Sequence, residues 1–261
     1  MLVSNFLTSR KSDRHFKNKK INKDSLSRLE QVFNLMDNES VSFKLYENGK
    51  DVFEALNGHA GYNGVMIEAP AYITVTFKGD SNKDKVVGMY KAEDVISLLE
   101  KEGLGSCWIG LFSTSEAVKE KAFQNKDVNL ILAVGYPKPK NPFVQEEKSE
   151  RLPVEEIVFN EEIGNSMSIE ELEKLGLDDV FYYARFAPST LNTQSWRFVI
   201  RQNQVVLYLK EVNGKLYYED MGIIMYYFEQ MYNMTFHKGE WKLEDNFVMH
   251  DGYVKIATMN L

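Results

Sequence analysis

The side chains best suited to hold an anion lie near the N-terminus, in "RKSDRHF" (10–16). Arg10, Ser12 and Arg14 alternate, so an extended chain would place them on one face. Two guanidinium groups around a hydroxyl suit a phosphate monoester, because arginine pairs with phosphate oxygens through two parallel hydrogen bonds. The stretch 10–23 carries seven basic residues against the single acid Asp13. It predicts either a site for a small anion or an ordinary solvated basic segment.

A second polar cluster lies between a predicted helix and a predicted strand, in "APSTLNTQSWRF" (187–198). Six of the seven residues 189–195 carry short hydroxyl or amide side chains. Such groups suit recognition of a heteroaromatic ring, which displays both donors and acceptors. A turn that satisfies its own Asn, Ser and Thr groups is the alternative. Ser189 is not predicted to be a hydrolase nucleophile, because no G-x-S-x-G motif surrounds it.

The third segment is "GLGSCWIGLF" (103–112), predicted to be a connection rich in small residues between two helices. Its glycines would let the backbone approach a bulky group closely, or Gly103 would simply end a helix. Cys107 is the only cysteine, and no histidine near it in sequence could activate it, so we expect buried packing. A disulfide framework is excluded within one chain, and the four histidines lack metal-ligand spacing, so metal catalysis is not expected.

Taken together, the three segments resemble motifs of the FMN-dependent nitroreductase family. That family carries "RRSxRxF", "GLGSxWIGxF" and "APSxxNxQPWxF", which residues 10–16, 103–112 and 187–198 match in turn. A strand ending in "GYP" matches 135–137, and "kxRxPxEExV" matches Arg151 to Val158. Two positions depart from the pattern: Ser195 stands where the family usually has proline, and Gly110 stands where some members have glutamate.

The resemblance implies bound FMN and a role for each matching position. A basic group would hold the phosphate and the pyrimidine edge of the ring, a backbone group would lie near the reactive N5 atom, and a corner group would pack along the ring or the ribityl chain. Asn63 is a weaker match to an asparagine that touches the ring. The basic group is Arg10, Lys11, Ser12, Arg14 and Arg151, the N5 group is Ile109, Gly110 and Leu111, and the corner group is Pro188, Ser189, Thr190 and Asn192.

The resemblance also implies an activity, that of an NAD(P)H oxidoreductase. NADH or NADPH would pass a hydride to flavin N5, and a nitroaromatic, quinone or similar small acceptor would then take the electrons in a ping-pong cycle. The flavin would carry the chemistry while the protein supplies orientation and electrostatics. Two alternatives stay open: an FMN-binding protein without turnover, acting as a sensor or flavin reservoir, and a flavin-free descendant that binds another phosphate ligand or a protein.

The order of the motifs differs from that of the family. There the "APSxxN" corner precedes "GLGS", and two subunits of a homodimer share each flavin; here the corner follows every other motif. We therefore predict two nitroreductase-like halves fused into an intrachain pseudo-dimer with one complete flavin site. The first half would span residues 1–137, a linker 138–166, and the second half 167–261. The assembled protein would be a monomer or a homodimer.

The helices and strands that must position these groups mix without a regular βαβ alternation. This favours an α+β sheet with helices packed on it over a doubly wound fold. Apolar periodicity predicts helices over 22–36, 84–105 and 221–234, the first capped by Asn22. Strands are predicted at 42–46, 71–77 and 128–135, and a meander covers 197–218. Capping boxes are predicted at 113–116 and 168–171, and Asn48-Gly49 predicts a turn.

The composition of the 261-residue chain limits the kinds of partner that it is expected to bind. Its net charge of −7 argues against general nucleic-acid binding. The sequence contains no run of 18 apolar residues, so no membrane span is predicted, and no signal peptide is recognised at the N-terminus. With one cysteine, the chain fits a reducing cytoplasm, which is the expected location.

Overall fold

The computed structural model describes residues 11–37, 40–61, 64–139, 150–236 and 238–261. The chain forms two compact units. The N-terminal unit comprises residues 10–80 and 91–146, and the C-terminal unit comprises residues 1–9, 81–90 and 147–261. The predicted limits of two ancestral halves and a linker stay a prediction.

The N-terminal unit contains a four-stranded antiparallel sheet in the order β1-β2-β4-β3. Every residue of β2 and β4 is buried, as their continuous apolar runs predict, and β3 forms one edge of the sheet. Helices of this unit cover the sheet through an apolar cluster that includes Phe16, Leu56 and Phe123. The elements are α1 (Lys23–Met36), β1 (Val41–Tyr46), α2 (Gly49–Leu56), β2 (Ala71–Phe77), β3 (Gly105–Gly110), α4 (Glu116–Phe123) and β4 (Leu130–Gly135). The helix α3 (Asn82–Lys101) precedes β3 and contributes residues to both units.

The C-terminal unit contains a six-stranded sheet with the main order β5-β6-β7-β10-β8, in which β9 also pairs with β10. The pair β5–β6 is parallel and the other pairs are antiparallel. Three rings join the helices to this sheet, since Phe228 packs on Phe181 and Phe198 with centroids 5.2 and 5.4 Å away. The elements are β5 (Val158–Asn160), α5 (Ile169–Leu175), α6 (Asp178–Ala184), β6 (Trp196–Arg201), β7 (Gln204–Lys210), α7 (Tyr218–Thr235), β8 (Lys242–Leu243), β9 (Met249–His250) and β10 (Tyr253–Asn260).

Local sequence signals place several element ends where they were predicted. The Asn22 side chain accepts from the Ser25 N–H at 2.7 Å, which caps α1. Ser168 and Glu171 form a complete capping box that opens α5. The predicted helices, the strands β2 and β4, and the turn that joins β6 to β7 are confirmed.

Three local predictions are wrong. Residues 105–110 form β3 rather than a connection, because they pair along their whole length with β4. Asn48 and Gly49 open α2 instead of making a hairpin turn. The stretch 113–116 forms no capping box, since α4 begins at Glu116 and its N-cap makes no side-chain bond. Within the range 138–166, residues 158–160 form β5, which pairs with β6 of the second sheet.

Among the described residues, no helix is long and apolar enough to cross a membrane.

Candidate functional site

In the N-terminal unit, the segment that follows Arg10 runs along the outer edge of β3. Ser12 forms a parallel bridge with Ser106, and the Asp13 N–H donates to the Ser106 carbonyl at 2.9 Å. Further on, the Lys17 N–H donates to the Tyr136 carbonyl at 2.8 Å. The backbone of this segment is thus fixed at both ends. Three predicted phosphate ligands, Lys11, Ser12 and Arg14, lie on the fixed backbone; Arg10 lies outside the described residues.

Gly105 explains why the motif needs a glycine where β3 begins. A Cβ atom there would lie 2.4 Å from Oδ2 of Asp13 and 2.9 Å from its Cγ. Any larger residue would displace the Asp13 side chain, which precedes Arg14 by one position. The glycine therefore lets the basic segment lie directly against the strand.

The backbone at the end of β3 offers one N–H that faces away from the sheet. Backbone groups of alternate residues in a strand point to opposite sides, and those of Ser106 point to the outer edge, where Asp13 bonds. Gly110 is four residues further on and has the same orientation, whereas Ile109 faces β4. Leu111 donates its N–H to the Asn129 carbonyl at 2.9 Å. Of the three residues predicted near the flavin N5, Gly110 has the best-placed donor.

In the C-terminal unit, the polar corner holds an unusual backbone. Leu191, Asn192 and Gln194 all have positive φ, at 51, 56 and 47°. Such values are uncommon for residues other than glycine and cost of order 1 kcal/mol or more each. The Leu191 side chain is 86% exposed, so burial of this side chain does not offset the strain. The conformation must be held by the contacts around it.

Arg151 provides one of those contacts. Its Nη1 donates to Oδ1 of Asn192, and its Nη2 donates to the Phe186 carbonyl at 3.2 Å. The Asn192 amide in turn donates to the Glu150 carbonyl at 3.0 Å. Arg151 and Asn192 come from different sequence motifs, and the structure brings them together at this corner.

Gln194 joins the same corner to the segment that follows Arg151. Its Oε1 accepts from the Leu152 N–H at 2.9 Å, and its own N–H donates to the Ser189 hydroxyl at 3.0 Å. Ser189 and Gln194 therefore use part of their hydrogen-bonding capacity within the turn. Thr190 and Asn192 are exposed, and Pro188 is half-buried.

Asp220, in the first turn of α7, holds the corner in place through hydrogen bonds to Thr190. Its carboxylate accepts from the Thr190 N–H at 3.0 Å (Oδ1) and 3.1 Å (Oδ2), and from the Thr190 hydroxyl at 3.0 Å. Burial raises the pKa of Asp220 to about 7, although the bonds from Thr190 act in the opposite direction. Asp220 is 1% exposed. Asp220 was not predicted from the sequence, where its only signal is an acid at the start of an apolar helix.

The predicted site residues thus form two groups, one in each unit. Lys11, Ser12 and Arg14 lie along β3 with Gly110 at its far end. Arg151 lies with Pro188, Ser189, Thr190 and Asn192. Asn63 falls outside the described residues.

Two other chemistries find no support in the part of the chain that is described. Cys107 is 1% exposed and belongs to the apolar cluster of the N-terminal unit, which confirms that it packs in the core. No group of three or more His, Cys, Asp or Glu side chains is arranged to hold a metal ion within those residues.

This architecture is the nitroreductase fold. A protein described as a putative nitroreductase from Thermotoga maritima matches with a TM-score of 0.67, covering 100% of this chain and 94% of its own at 17% identity. Nitroreductase A from Vibrio parahaemolyticus matches with a TM-score of 0.50, covering 71% of this chain and 87% of its own at 18% identity. At such identities the likeness shows the fold. A search of curated proteins finds no match.

The sequence itself identifies the family. Residues 3–232 match the family model described as "Putative TM nitroreductase". The chain belongs to this nitroreductase family. Membership supports an oxidoreductase of the flavin-using type.

Proposed function

We propose that the protein is an FMN-dependent NAD(P)H oxidoreductase that reduces nitroaromatic, quinone or similar small acceptors. The observation that carries the proposal is the corner at 188–194. Its left-handed backbone is held by Arg151 through Asn192 and by Asp220 through Thr190. Strained backbone held by several independent bonds is typical of a ligand-binding segment, because the strain serves no packing purpose there.

The chemistry of the two groups fits FMN. The segment at Lys11, Ser12 and Arg14 offers two cations and a hydroxyl beside a strand edge, which suits a phosphate monoester. The corner offers short hydroxyl and amide groups, which suit the donors and acceptors of a flavin ring. In this proposal Lys11, Ser12, Arg14 and Arg151 hold the phosphate and the pyrimidine edge, and the corner residues pack along the ring or the ribityl chain.

Bound FMN would supply the redox chemistry, accepting a hydride from NADH or NADPH and returning the electrons to the acceptor. The protein has to orient the ring and tune its charge. In this proposal the outward N–H of Gly110 would donate a hydrogen bond to a ring nitrogen. The cations of the basic group favour the extra negative charge of a reduced flavin. None of these roles requires a side chain that transfers a proton.

Replacing Arg151 by lysine tests the proposal, because lysine keeps the charge but loses the fork that reaches both Asn192 and Phe186. We expect FMN to bind about 10- to 100-fold more weakly, the effect of losing one or two charge-assisted hydrogen bonds. Titration of the apoprotein with FMN, followed by quenching of flavin fluorescence, measures the change. Arg201→Lys is the matched control, since exposed Arg201 bonds only the Glu161 carbonyl among the contacts resolved for it. FMN affinity that is equal in wild type and Arg151→Lys would refute the role of the corner.

A further inference from the structure

The N-terminal unit contains a cleft of about 970 Å³. Three segments line it: residues 14–20, residues 47–53 at the start of α2, and residues 65–70 before β2. Lys138 lines it as well. This volume is at the upper end of the range for small-molecule sites. It is large enough for a nucleotide-sized ligand.

Positive charge dominates the lining of this cleft. Two acids, Glu47 and Glu68, oppose six cations, although the whole chain has a net charge of −7. Such a local reversal of sign concentrates anions at one place on an otherwise repulsive protein. The cations are Lys17, Lys19, Lys20, Lys50 and Lys138, together with Arg14, which the proposed function assigns to FMN.

Backbone hydrogen bonds hold the segments that carry these cations in place. Lys17 and Lys138 belong to reciprocal backbone contacts, since the Lys17 N–H donates to Tyr136 and the Lys138 N–H donates to the His15 carbonyl at 2.9 Å. The Lys19 ammonium lies 4.6 Å from the centre of the Tyr136 ring. Lysines on anchored backbone lose less freedom when they meet a ligand than lysines on a free tail do.

The same cleft has an apolar side. Phe16, Met66 and Ile67 line it and are 7%, 5% and 6% exposed, and Phe53 and Pro70 lie beside them. A ligand that fills the cleft should therefore combine a flat or apolar body with more than one anionic group. A nucleotide with phosphates on both sides of its ribose has this chemistry.

We propose that this cleft binds the adenosine 2′-phosphate end of NADPH, and so selects NADPH over NADH. The inference rests on the proposed function, because it assigns a binding site to the electron donor of that reaction. Phosphate monoesters pair with lysine and arginine through charge-assisted hydrogen bonds. The 2′-phosphate is the group that distinguishes the two donors, and it carries the charge that this cleft attracts.

The test uses a fragment of the donor, so that it does not depend on flavin chemistry. Calorimetric titration of the purified full chain with 2′,5′-ADP should show binding that weakens as salt is raised and that exceeds the binding of 5′-AMP. The double variant Lys17→Gln/Lys20→Gln should bind 2′,5′-ADP about tenfold more weakly, since it loses two exposed charge contacts. Its kcat/KM for NADPH should fall by the same factor, while its kcat/KM for NADH and its FMN content stay at wild-type values.

The matched control is Lys174→Gln/Lys215→Gln, which makes the same change in net charge at two exposed lysines of the C-terminal unit. Equal losses in both double variants would mean that only the overall charge acts, which would overturn the proposal. It would also be overturned if the cleft variant lost FMN, because the cleft would then belong to the flavin site, or if 2′,5′-ADP did not bind the wild type. A protein that binds 2′,5′-ADP in the cleft but takes up no flavin would support the cleft and refute the proposed function.

Discussion

The buried carboxyl of Asp220 makes a quantitative prediction about stability and pH. Its pKa rises from the ordinary 3.8 to about 7 because the side chain is buried. Between these pH values the folded protein keeps a proton that the unfolded chain has lost. Stability therefore falls as pH rises from about 4 to about 7, and the full loss is about 4 kcal/mol.

Replacing Asp220 by asparagine removes this titration. Asparagine has the shape of the protonated acid, and its oxygen still accepts from the Thr190 N–H and hydroxyl. We expect the free energy of unfolding of the variant to lose this component of pH dependence. The wild type should therefore lose about 3 kcal/mol relative to the variant between pH 5 and pH 8.

Urea denaturation at pH 5, 6, 7 and 8 measures this difference directly. Asp179→Asn is the control: it removes a carboxylate of the same unit that is exposed, so its curve should run parallel to that of the wild type. If the free energies of unfolding of wild type and Asp220→Asn also ran parallel across this pH range, Asp220 would titrate normally. That result would contradict its burial at the corner.

Two further substitutions test how the units are built. Gly222→Ala would place a Cβ atom 2.1 Å from the Val86 carbonyl oxygen. We therefore expect a loss of about 1–3 kcal/mol in the free energy of unfolding, although alanine is the better helix former. An unchanged urea midpoint would contradict this close packing. The hydrogen bond from Arg28 is the main reason that the pKa of Glu102 is lowered to about 2, so Arg28→Gln should raise this pKa in a carboxyl-resolved NMR titration. In the wild type, the stabilisation that Glu102 gives is present above pH 4.5 and is lost as the pH falls towards 2. In the variant, this stabilisation should already be smaller above pH 4.5. An unchanged pKa of Glu102 in the variant would show that Arg28 does not lower it.

Much of the secondary structure follows from local sequence, since side-chain periodicity and caps act within a few residues. The buried strands β2 and β4 and the cap at Asn22 are examples. The strand β3 was missed because its two glycines and small residues carry little strand propensity. It is a strand because β4 pairs with its whole length, and pairing between distant segments cannot be read from one of them.

The candidate site shows the same division. Arg151 and Asn192 were each predicted from a motif, but their hydrogen bond depends on how the chain returns to the corner. Asp220 carries no motif, and it was missed because its role comes from burial beneath Thr190 rather than from spacing. Gly110 could be separated from Ile109 and Leu111 only after the register of β3 was known.

The proposed function requires that this chain bind FMN and reduce it with a nicotinamide donor. The most direct measurement is the visible spectrum of the freshly purified protein, before and after NADPH and then NADH are added without oxygen. We expect flavin absorbance that bleaches, more readily with NADPH. A colourless protein that also fails to take up added FMN, or a bound flavin that stays oxidised with both donors, would contradict it.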